Sequence, residues 1–114
     1  MTSEQHFERL VSEALDELPG WVLERMDNVD VTVEDDPPHG QPNLLGLYHG
    51  IPLTKRGAGY TSVMPDRITL YHRPIEARAR TDAELKRMVA HTVAHEVAHH
   101  FGISDDRLRE IGRY

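Results

Sequence analysis

His95 and His99 are four positions apart, and Glu96 directly follows the first of them, within the run M-V-A-H-T-V-A-H-E-V-A-H-H-F from Met88 to Phe101. On a helix that spacing points the two imidazoles roughly 40° apart, close enough for both to reach one ion. Glu96 is rotated about 100° from His95, beside the coordination position that neither imidazole fills. Catalytic zinc keeps three protein ligands and a water, whereas structural zinc is usually closed by four protein ligands. Two histidines therefore require a third donor. Asp105 is the candidate, completing His95-Glu96-x-x-His99-x-x-Gly102-x-x-Asp105. Gly102 can take the sharp turn that brings residue 105 back to the metal. The expected centre is one Zn2+ per chain on His95, His99 and Asp105, with Glu96 as the catalytic carboxylate. Asp105 has a bland alternative. Ser104-Asp105-Asp106 opens the last helix, where Ser and Asp are preferred caps.

The element that must carry these residues is readable around them. Thr81-Asp82-Ala83-Glu84 has the form of a capping box, and Gly102 can close the helix in the left-handed conformation. Between these signals Leu85, Met88, Val89, Thr92, His95, Glu96 and His99 share one stripe, while Val93, Val97, Ala90, Ala94 and Phe101 cover most of the rest. From Met88 to Phe101, Glu96 is the only Asp, Glu, Lys or Arg. Such a helix belongs in the middle of a domain. A carboxylate and imidazoles buried there would cost kilocalories unless paired or metal-bound.

With these residues in place, the chain resembles a very short bacterial family of zincin-like proteins along nearly its whole length. Members have an N-terminal helix, a few strands, the metal helix and a short C-terminal helix, and are described as minimal zinc metallopeptidases. The resemblance implies His95, His99 and Asp105 as ligands, Asp standing where His is more usual, and Glu96 as the catalytic carboxylate. The larger secreted members of that clan place a methionine turn well downstream of the third ligand. Here no Met follows Asp105.

The remaining elements can be taken in order. Phe7, Leu10, Val11, Ala14, Leu15 and Leu18 follow helical periodicity and predict a helix over Thr2 to Leu18, with its apolar stripe on a sheet and His6 solvated. Pro19-Gly20 breaks it, and Trp21 to Met26 is expected to form a second, short helix with Trp21 in the core. Val29, Val31 and Val33 alternate with Asp30, Thr32 and Glu34 as a half-buried strand. Glu34-Asp35-Asp36 is expected to be a solvated strand end. Leu44 to Tyr48 is the second strand, where Gly46 allows a bulge or close approach. Thr54 to Asp66 contains Gly57-Ala58-Gly59 and has the length of a lid. Ile68 to Arg73 is the third strand, ended by Pro74. His91 and His100 are expected to support or pack beside the ligands, and His49 and His72 to be structural or rim residues.

The whole implies an α+β fold in a single domain over residues 1–114, with a small mixed or antiparallel sheet packed against the N-terminal, metal-binding and C-terminal helices. A net charge of −6 argues against nucleic-acid partners, and no apolar run spans a bilayer. The polar N-terminus and the absence of cysteine point to the cytoplasm. A monomer acting on a peptide or protein substrate is expected. Two other functions compete with a zinc peptidase. Small metal-dependent endoribonucleases space three His at the same intervals but lack a Glu after the first. A zinc-stabilised interaction domain would bind metal without turnover.

Overall fold

The computed structural model describes residues 2–53 and 66–110. Helix α1 (Ser3–Asp16) opens with a complete capping box. Thr2 Oγ1 accepts from the Gln5 N–H, and Gln5 Oε1 accepts from the Thr2 N–H. It ends two residues before the predicted limit. Phe7, Leu10, Val11 and Ala14 are its buried stripe, each large side chain contributing about 1.5–3 kcal/mol. That stripe packs chiefly on the metal-motif helix and also borders the first strand. His6 is not simply solvated: Nε2 lies 2.6 Å from Asp82 Oδ1 and ties the two helix beginnings together.

Helix α2 (Gly20–Glu24) follows Pro19, as the break predicts. Trp21 is 60% exposed, so its assignment to the core is corrected. In a five-residue helix only Val22 reaches the core, and Trp21 instead sets its ring edge-on to Phe101.

Strands β1 (Val29–Glu34), β2 (Gly46–His49) and β3 (Asp66–Tyr71) form a mixed sheet in the order β1-β3-β2. β1 runs parallel to β3, with Thr32 opposite Thr69, and β2 runs antiparallel to it, with Gly46 opposite Leu70. The third strand therefore starts and ends two residues earlier than expected. Pro74 does not terminate it but lies in the first turn of helix α3 (His72–Arg78). A helix leaves its first four N–H groups without internal partners, so proline costs no hydrogen bond there. The expected lid falls on residues 54–65, outside the described residues, apart from Asp66.

Helix α4 (Asp82–His100) starts at Thr81, whose Oγ1 accepts from the Glu84 N–H, giving one arm of the expected box. Val89, Val93 and Val97 enter the core with Phe7, Leu10, Ile68, Leu70 and Ile75. Thr92 and Glu96 turn toward β2. His91 and Ala94 are exposed, so the helix is half-covered and not sealed all round. Helix α5 (Asp105–Glu110) completes the described chain and buries Leu108.

Candidate metal centre

The end of α4 is built as the glycine predicts. Gly102 has φ +82°, its N–H donates to His99 O at 2.9 Å, and the Ile103 N–H donates to Ala98 O at 2.9 Å. This paired closure satisfies the last carbonyls and reverses the chain. Ser104 then caps α5, its Oγ accepting from the Arg107 N–H at 3.1 Å. Asp105 is thus not needed as the cap, and its side chain turns back to α4. Its Oδ1 lies 2.7 Å from His99 Nε2 and 3.1 Å from His95 Nε2. The two rings are 4.7 Å apart at 74°.

Imidazole nitrogens and a carboxylate oxygen are donor types zinc takes, and bonds of 2.0–2.2 Å put tetrahedral donors roughly 3.3 Å apart, against 3.1 Å and 2.7 Å here, so the Asp105 oxygen would draw back from His99 to admit an ion. His99 Nδ1 lies 3.2 Å from Glu96 Oε1 while its Nε2 meets Asp105. Burial holds His95 below its ordinary pKa, helped by the charge of His99, which favours the neutral ring a metal requires. Burial would raise Asp105, but hydrogen bonding and charge from His99, then His95, outweigh it and keep the carboxyl low.

Glu96 is placed differently. It is 5% exposed, and burial pushes its pKa up against the lowering influence of His99 and of the Tyr48 backbone N–H. A carboxylate shifted upward is better matched to proton transfer near neutrality. The β2 strand comes so close because residue 46 has no side chain. A Cβ there would stand 3.0 Å from Thr92 Cγ2 and 3.1 Å from Glu96 Cγ. The close approach read from Gly46 is thus real. In the order β1-β3-β2 the strand is also a sheet edge among the described residues. Between it and α4 lies an open cleft of about 300 Å³, reached by His91, Thr92, His95 and Glu96 from the helix and by Leu44–Gly46 from the other side.

The ligand atoms of His95, Glu96 and His99 lie within 4.8 Å of one another, so Glu96 is an alternative third donor. Asp105 Oδ1 meets Nε2 of both rings, whereas Glu96 faces Nδ1 of His99. A second group within 4.8 Å is Glu4, Asp35 and His72. There both His72 nitrogens already meet carboxylates, Asp35 and Glu76, each at 2.7 Å. The acidic strand end is therefore not merely solvated, and Asp36 adds an ion pair with Arg73 at 2.8 Å.

Two features were not legible beforehand. Fully buried His100 bonds Asp66 Oδ2 at 3.0 Å and Arg25 O at 3.1 Å, and the Tyr48 hydroxyl donates to the same Asp66 oxygen at 2.7 Å. These partners are far apart in sequence, and only the folded sheet unites them. Asn43 and Arg78 also line the cleft. Arg78 escaped notice because the helix carrying it was not foreseen. His49 is exposed at the end of β2 and does not line this cleft.

No curated protein matches the chain. Among solved structures, a conserved hypothetical protein from Thermus thermophilus is similar at a TM-score of 0.60 and 23% identity, over 97% of this chain and 99% of that one. That likeness is one of fold. The model of the zincin-like metallopeptidase family matches residues 26–113, from the end of α2 through the metal-motif helix and α5. On that match, which spans most of the chain, the protein belongs to the zincin-like metallopeptidase family.

Proposed function

We propose that the chain is a zinc-dependent peptidase, with His95, His99 and Asp105 holding the ion and Glu96 as general base. The observation that carries this reading is the meeting of one Asp105 oxygen with Nε2 of both histidines. When bound, zinc would polarise the scissile carbonyl and acidify the attacking water. An anionic Asp105 among the ligands would leave such a water less acidic than three histidines would. Glu96 takes the proton from the water and passes it to the leaving nitrogen. Its burial beside the cleft suits both roles, keeping it near the reacting bond and raising its proton affinity. The edge strand β2 offers main-chain groups to an extended peptide, which would lie in the cleft between the strand and α4.

Metal content tests the reading. Protein purified without added metal should hold one zinc per chain by elemental analysis. Asp105→Ala should weaken zinc binding at least tenfold, and Ser104→Ala should leave it unchanged. Absence of a stoichiometric transition metal from the wild-type chain would refute the proposal. An Asp105→Ala chain that binds zinc normally and loses only stability would return this residue to helix capping.

A further inference from the structure

Arg78 stands exposed in the same cleft. Among the described residues Arg9, Arg73, Arg107 and Arg109 each pair with a carboxylate; Arg25, Arg67, Arg80 and Arg87, like Arg78, do not, but none of these lines this cleft. The Arg78 guanidinium instead donates to Asn43 Oδ1 at 3.4 Å, a long bond to a neutral amide. Among the described residues no carboxylate lies in ion-pair range of it, although the chain carries 19 acidic residues. Because arginine only donates, Asn43 must present its oxygen to it, which leaves the Asn43 amide N–H groups for another acceptor. Donors from both residues thus line a cleft that ends at His95 and Glu96.

The bland explanation is that Arg78, in the last turn of α3, serves the negative end of that helix. It accounts for a basic residue at this position but not for the residue's place in the cleft, nor for the amide beside it. The cleft is completed by Leu44, Leu45, Gly46, His91 and Thr92, and a second hollow of about 260 Å³ continues past Leu45, His91 and Thr92 to Glu84, Arg87 and Met88. A planar fork of donors in an open groove matches a carboxylate on a peptide. It also offsets the repulsion that Glu96 exerts on an anionic substrate.

We infer that Arg78, with Asn43, makes this cleft selective for peptides that bring a carboxylate into it, either an acidic side chain or a free C-terminus. The inference rests on the peptidase reading for its substrate class. Selectivity comes through binding, so it acts on KM. It does not require the carboxylate to touch the reacting bond.

The test uses hexapeptides in an Ala-Leu background with Glu, Gln or Lys scanned through each position, each made with a free and an amidated C-terminus. Binding is measured by calorimetry on the zinc-loaded Glu96→Gln chain, where turnover does not interfere, and cleavage on the wild-type chain. A carboxylate at one position should bind about tenfold tighter than its neutral counterpart. In cleavage the same ratio should appear in KM. Arg78→Gln should bring the ratio to about one, and Arg78→Glu should move the preference toward Lys. A preference that survives amidation identifies a side chain, and one that vanishes identifies the terminus. Equal binding of Glu and Gln peptides, with free and amidated ends also equal, would overturn the inference. Tight acidic binding without cleavage of any peptide would sustain Arg78 and sink the peptidase reading. Cleavage with no charge preference would do the reverse.

Discussion

His99 and His100 are neighbours in the chain, yet their rings serve opposite ends. His100 is fully buried between β2, β3 and the Arg25 carbonyl, and both of its nitrogens have partners inside the protein. His99 is a quarter exposed, and its Nε2 meets the same Asp105 oxygen that His95 meets. The first arrangement spreads hydrogen bonds outward from one ring to three elements. The second brings donors from two elements to one point. Both consist of imidazoles and carboxylates at similar distances, so composition does not distinguish them. What does is convergence and access: a satisfied network holds a fold together, and converging donors beside an open cleft make a place for an ion.

Three measurements would break or sharpen that contrast. The largest effect should come from Glu96→Gln, which removes proton transfer while leaving both imidazoles and Asp105 in place. Peptide hydrolysis should fall by about 10²–10⁴ with zinc stoichiometry retained. Full hydrolysis by this variant would end the mechanism. RNA cleavage that survived the change would move the chain to a different enzyme class.

Next in size, His100→Ala should act on stability. It leaves Asp66 buried with the Tyr48 hydroxyl and opens a cavity at the junction of α4 and the sheet. Losing one partner of a buried ionisable pair costs on the order of 3–5 kcal/mol. Denaturant unfolding should show that loss, and zinc content of the folded fraction should stay at one per chain. A variant of normal stability that cannot hold zinc would mean that the two neighbouring histidines do not divide the work as described.

The smallest effect concerns His72, the third imidazole among carboxylates. Burial would lower its pKa, but Glu76 and then Asp35 outweigh it and hold it above the ordinary 6.5. A folded-state pKa above the unfolded one gives stability that is complete below about pH 6.5 and is lost as pH rises through the folded value. Asp35 is held below its ordinary 3.8 chiefly by its hydrogen bond to His72, so its own contribution is present above that pH and lost on acidification. The urea midpoint of the wild-type chain should therefore fall between pH 6 and pH 8.5 by more than that of His72→Gln. Identical falls would show that the cluster adds no pH-linked stability.

Much of the site was present in the order of residues. Helical geometry alone relates positions 95, 96 and 99, since one turn of backbone sets their directions whatever surrounds them. Gly102 and Ser104 likewise act locally: one closes α4 and the other caps α5, which leaves Asp105 to face the histidines. Local rules were also enough for α1, for the alternating strand β1 and for the glycine that lets β2 approach Glu96. They failed where a neighbour decides. Pro74 is as compatible with a first helical turn as with a strand end, and the choice fell to α3, with Ile75 fully buried in the core. Trp21 has a side chain suited to a core, but its short helix spends its inward position on Val22. Which strand forms the edge beside α4, which acid meets His100, and which arginine enters the cleft all depend on pairings between residues distant along the chain. Those pairings are set by the packing of α1, α4 and the sheet around one core, and no local pattern encodes them.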